Sequence, residues 1–88
     1  SSWPGYTLEQ GSQGPKVRQI QEQLNVIAGA YPEIPKLEED GIYGPETEAA
    51  VRKFQSIFGL PVTGEIDYKT WYKISEIYVG VSRIAELS

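Results

Sequence analysis

The sequence predicts an all-α fold, a three-helix bundle, and three observations predict it. One punctuation motif recurs three times along the chain, and each copy opens a stretch with helical apolar spacing. The 88 residues suffice for one small domain and no more.

"GSQGPKVRQIQEQL" (Gly11–Leu24) aligns with "GIYGPETEAAVRKFQ" (Gly41–Gln55) and with "GEIDYKTWYKI" (Gly64–Ile74). In each copy a glycine is followed three residues later by Gly14, Gly44 or Asp67, and then by Pro15, Pro45 or Tyr68. Proline is favoured at the first helical position because its missing N–H had no intrahelical partner there and its φ is already helical. Gly or Asp suits the N-cap before it. These are three helix starts, with Gly44 expected at a tight, strained turn.

The apolar spacing that follows fits each start. Val17, Ile20, Leu24 and Ile27 make one stripe in the first run, and Ala50, Val51, Phe54, Ile57 and Phe58 make one in the second. "FGLP" then reads as a helix ending, with Gly59 past the last turn and Pro61 shortly after. The third stripe is Trp71, Ile74, Ile77 and Tyr78, with Gly80 expected to end the helix. Three amphipathic helices close around one core economically.

Between the first two helices, residues 29–44 are expected to form a long ordered loop. Pro32 and Pro35 keep it from being helical, Tyr31, Ile34, Leu37 and Ile42 pin it to the bundle, and Glu38, Glu39 and Asp40 stay in water. The expected organisation is a linker over 1–7, the domain over 8–79, and a C-terminal extension or linker over 80–88. That last stretch, "VSRIAELS", could also form a short helix capped by Ser82.

Composition excludes several functions. The chain has no His, Cys or Met, so it has no Ser-His-Asp set, no Cys-His pair, no disulfide and none of the usual structural zinc sites. Twelve acidic against eight basic side chains give a net charge of −4, which argues against nucleic acid and anionic membranes as partners. No run approaches the roughly 20 apolar residues that span a bilayer. A carboxylate-only glycosidase would need a shielded acid in a cleft, and Asp67 is more simply an N-cap. The acids around the Gly41 turn miss the alternate-position spacing of a calcium loop. An anion at the second helix start would meet Glu46 and Glu48. No catalytic residue, metal or cofactor is expected.

Aromatic residues are the stronger signal: six Tyr, two Trp and two Phe. Phe54, Phe58 and Trp71 lie on helix stripes and read as core. Tyr43 lies in the turn between Gly41 and Gly44, and two readings stand open for it. It packs on the loop and bonds through its hydroxyl, or it is a rigid aromatic contact for a ligand.

The same three segments, above all "DGIYGPETEAAVRKFQSIFGL", closely resemble the peptidoglycan-binding domain of the first type, a three-helix module attached to many cell-wall hydrolases. The resemblance covers about residues 8–78. It implies a non-catalytic module at the bacterial cell wall, outside the cell or in a spore envelope, that anchors a linked catalytic or repeat domain to peptidoglycan through glycan or stem peptide. By motif position it implies ligand contacts at Asp40, Gly41, Ile42, Tyr43, Gly44 and Thr47. The chain departs from the family's pattern in its long Gly29–Glu39 loop and in carrying Asp67-Tyr68 where Gly-Pro is common. The competing reading is a protein–protein docking domain of the bacterial envelope or spore layers, presenting its acidic loop to a partner protein.

Overall fold

A computed structural model describes residues 3–87 and contains three helices: α1 (Pro15–Ala30), α2 (Pro45–Ile57) and α3 (Tyr68–Leu87). Each begins at the position that the punctuation motif specifies. Pro15 and Pro45 open α1 and α2 after Gly14 and Gly44. Asp67 caps α3: its Oδ1 accepts the Thr70 N–H at 2.9 Å, satisfying one of the amides that a helix start leaves unpaired.

Most of the expected stripes form the core, while Ile57, Phe58, Ile77 and Tyr78 are only partly buried against it. Val17, Ile20, Leu24, Ile27, Ala50, Val51, Phe54, Trp71 and Ile74 are all buried, joined by Leu8, Ile34, Leu37, Tyr43 and Ile66 from the connections. α1 and α3 make the main helix–helix contact. The long connection is ordered as expected: Ile34 and Leu37 insert into the core, and Asn25 of α1 holds Leu37 from both sides, donating to its carbonyl at 2.9 Å and accepting its N–H at 2.8 Å. Glu38, Glu39 and Asp40 are exposed.

Two boundary expectations are corrected. α3 does not stop at Gly80, and no new helix starts at Ser82; one helix runs through to Leu87. Within a helix an isolated glycine costs only about 1 kcal/mol relative to alanine, so Gly80 weakens the helix without ending it. The linker expected over residues 1–7 is also too broad. Trp3 packs edge-on against Trp71 and Tyr68, each at 6.1 Å between ring centroids, and so belongs to the fold. Ser1, Ser2 and Ser88 lie outside the described residues.

The segments before the three helices gather at one end of the bundle. Residues 11–14 pair with 41–43: Gly11 N–H donates to the Tyr43 carbonyl at 2.9 Å, Tyr43 N–H to Ser12 at 3.0 Å, and Gly14 N–H to Gly41 at 2.9 Å. Leu8 and Ile66 exchange a second pair of backbone bonds at 3.1 and 2.8 Å. The repeated motifs are therefore in contact with one another, which places the turn before α2 beside the start of α1.

Candidate functional site

The turn Asp40–Thr47 is held from below by one buried side chain, Gln21 of α1. Its Oε1 accepts the Gly41 N–H at 2.8 Å. Its Nε2 lies at 3.0–3.1 Å from three acceptors, Asp40 Oδ1, the Ile42 carbonyl and Thr47 Oγ1. A buried amide so fully used fixes its surroundings, since losing any partner would strand a polar group away from water. Asp40 Oδ1 also accepts the Ile42 N–H at 3.0 Å. That backbone bond, and then the Gln21 amide, hold the Asp40 carboxyl below the ordinary carboxylate range.

Two open grooves flank this turn. One, of about 310 Å³, is lined by charged and polar groups, among them Lys36, Glu38, Asp40, Glu46 and Thr47. The other, of about 520 Å³, runs along the start of α1 past Gln13, Pro15 and Arg18. Asp40 and Ile42 border both. Ile42 was expected to pin the loop down, but it is 52% exposed and stands as an apolar ridge between the grooves.

The sequence-expected site residues do not all meet there. Asp40 and Ile42 face solvent, Gly41 lines the second groove and Thr47 the first. Tyr43 does not, and its reading as an exposed aromatic platform is corrected. It is 1% exposed, and its hydroxyl donates to the Gly64 carbonyl at 2.6 Å. Burial, reinforced by the negative charges of Glu48 and Glu65, pushes the phenol's pKa well up and keeps the proton that makes this bond. The cause is local backbone geometry. Ile42 bridges to Gln13 in extended conformation, so successive side chains point to opposite sides: Ile42 outward, Tyr43 inward. Gly44 lines neither groove and serves as the residue before Pro45. Its φ of −106° is ordinary extended backbone, so the strain expected there is absent.

A second brace escaped the sequence reading. Gln55 of α2, also buried, does for the next turn what Gln21 does for this one. Its Oε1 accepts the N–H groups of Thr63 and Gly64 at 2.9 and 3.0 Å. Its Nε2 reaches the Glu65 carbonyl and the hydroxyls of Thr63 and Thr70 at 2.9–3.2 Å. Thr47 and Thr70 are each the third residue of their helix. In both cases a glutamine from one helix therefore ties down the turn and first residues of the next. The signal in the sequence was a polar residue beside an apolar stripe, which on composition alone reads as surface.

The sequence matches the family described as "Putative peptidoglycan binding domain" over residues 13–74. The chain belongs to this peptidoglycan-binding family. Its fold agrees: the crystal structure of the SleB N-terminal domain superposes with a TM-score of 0.74 at 28% identity, covering 88% of this chain and 99% of that domain. A zinc D-Ala-D-Ala carboxypeptidase of Streptomyces albus G is 41% identical over 76 residues, which are 86% of this chain and 28% of that protein. An autolytic lysozyme of Clostridium acetobutylicum is 50% identical over 46 residues, 52% of this chain and 13% of that one. The chain thus spans well under a third of either relative. It is a peptidoglycan-binding module of the kind carried by cell-wall hydrolases.

Proposed function

We propose that this peptidoglycan-binding domain holds an attached catalytic domain against the bacterial wall, performs no hydrolysis itself, and receives its ligand at the Asp40–Thr47 turn. The observation that carries the reading is the family match over residues 13–74, which includes the whole of that turn and Gln21 beneath it. The geometry supports the location. The grooves offer an apolar ridge at Ile42, carboxylates at Asp40 and Glu46, and cations at Lys36 and Arg18, around a turn whose Gly41 and Ile42 backbone Gln21 holds. Such mixed lining suits the amides and terminal charges of a short stem peptide. Preorganised contacts spare the ordering cost that a flexible loop would incur on binding. A shallow site of this size binds weakly alone, and linkage to a second domain raises its occupancy.

The location follows from the ligand: the wall or the spore envelope. Among the described residues no helix is long and apolar enough to cross a membrane. Among them, too, no group of three His, Cys, Asp or Glu side chains is placed to hold a metal ion.

The test is retention on purified, insoluble sacculi, measured for the parent and for Ile42→Glu. The parent should sediment with the wall, and Ile42→Glu should lose roughly 1–2 kcal/mol of binding, as removal of a central apolar contact does. Sacculi incubated with the domain should release no reducing ends or free amines. Parent protein left in the supernatant, or an undiminished Ile42→Glu, would overturn the ligand or its location respectively.

A further inference from the structure

We propose that Trp3, Tyr68 and Tyr72 form an aromatic ledge that takes sugar rings of the wall glycan, a second contact in addition to the groove; this rests on the wall-binding reading above. Tyr68 and Tyr72 lie one turn apart on α3, 61% and 42% exposed, with ring centroids 4.8 Å apart. Neither is loose. Trp3 stands edge-on to Tyr68 and edge-on to the buried Trp71. An exposed ring cluster braced against the core gains nothing for folding from its outward faces, and large exposed aromatics at one place mark contact surfaces.

The chemistry selects the occupant. The face of an aromatic ring carries partial negative charge, and the C–H-rich face of a pyranose presents partial positive charge to it. Nucleic-acid bases also stack on such rings, but a chain of net charge −4 repels their phosphates. A protein partner needs roughly 800 Å² on each side for a stable interface. Two exposed tyrosine rings and a partly buried Trp3, each of about 150–250 Å² when wholly buried, fall short of that. Uncharged N-acetylated sugar rings meet neither obstacle.

The ring that backs the ledge also meets the start of α1. Lys16, in the first turn of α1, places its ammonium 5.6 Å from the centre of the Trp71 ring, while its neighbour Pro15 lines the second groove. The core ring behind the ledge and the second groove thus both meet the first turn of α1.

The experiment titrates the full chain with the β-1,4-linked tetramer of N-acetylglucosamine and follows the Tyr68, Tyr72 and Trp3 ring signals by NMR. Those signals should move, and the affinity should fall at least fivefold in Tyr68→Ala/Tyr72→Ala while the helical circular dichroism is unchanged. Should that variant lose its fold, Tyr68→Leu keeps the apolar bulk, removes the π face and should still weaken sugar binding. Silent ledge signals at millimolar tetramer, shifts confined to residues 40–47, or parental affinity in folded variants would each overturn the ledge. Failure of the parent to sediment with sacculi, with ledge signals still moving, would instead remove the wall-binding reading and leave the sugar site standing.

Discussion

The Tyr43 hydroxyl and the Gly64 carbonyl, 2.6 Å apart, join the turn before α2 to the turn before α3 inside the core. This bond links the two glutamine braces, because Gly64 N–H is held by Gln55 while the residues just before Tyr43 are held by Gln21. A tyrosine in the family signature therefore does structural work under the site rather than contact work upon it.

Tyr43→Phe should cost about 1–2 kcal/mol in denaturant unfolding, because the buried Gly64 carbonyl loses its donor. Tyr43→Ala should cost about 3–5 kcal/mol, as removal of a buried aromatic does, which is a large share of the stability of a domain this small. Folded Tyr43→Phe should be retained on sacculi like the parent. Lost retention in a protein that remains folded would return Tyr43 to the contact surface.

Replacing either brace separates stability from binding. Gln21→Ala and Gln55→Ala should each destabilise by roughly 2–3 kcal/mol, since each leaves a buried N–H without an acceptor and several acceptors without a donor. Only Gln21→Ala should speed amide exchange across residues 41–47 and weaken sacculi retention beyond what its population of unfolded protein explains. Equal losses of retention in the two variants would place the ligand elsewhere.

The two glycines of the turn should behave differently. Gly41 has φ +74°, and a Cβ there would lie 3.1 Å from the Gly14 carbonyl oxygen, so Gly41→Ala should cost about 1–3 kcal/mol. Gly44 has φ −106°, and a Cβ would meet only Glu46 Oε1 at 3.4 Å, so Gly44→Ala should change stability by no more than about 0.5 kcal/mol. Thermal unfolding of the pair decides it, and a reversed order would mean that the turn is built differently.

Acid should loosen the site turn. Asp40 titrates below its ordinary value in the folded chain, so folding favours the carboxylate. Its contribution is present in full above the unfolded value and is lost as pH falls through the lower folded one. Exchange at the Ile42 amide should therefore accelerate below the ordinary carboxylate range, and Asp40→Asn should remove that acid limb. A parent whose Ile42 exchange follows that of the α2 amides at every acid pH would contradict the assignment.

The helices were legible because their signals are local. A proline at N1, an Asp cap and apolar residues on one face each act within a few positions, and Pro15, Pro45 and Asp67 mark the true starts. What escaped depends on partners distant in sequence. Ile42 faces out and Tyr43 takes the packed one of its two readings because their sides are set by pairing with residues 11–14. Gln21 and Gln55 gave no signal because their acceptors lie 8–26 residues away. Trp3 read as linker because its neighbours in sequence are small or turn-forming, while its ring partners are at 68 and 71. Gly80 misled for the opposite reason: a local stop signal was overridden by a helix that simply continued. At the site, Asp40 and the glycine turn were visible in the sequence, and the brace beneath them was not.

The helices in principal contact, α1 and α3, are also the two farthest apart along the chain. The entropy of closing the intervening chain must be spent before that contact returns anything. During synthesis the core therefore cannot close until α3 has left the ribosome. A protease that removed α3 would likewise uncover the Val17–Ile27 face of α1 and convert a wall module into an aggregation-prone fragment.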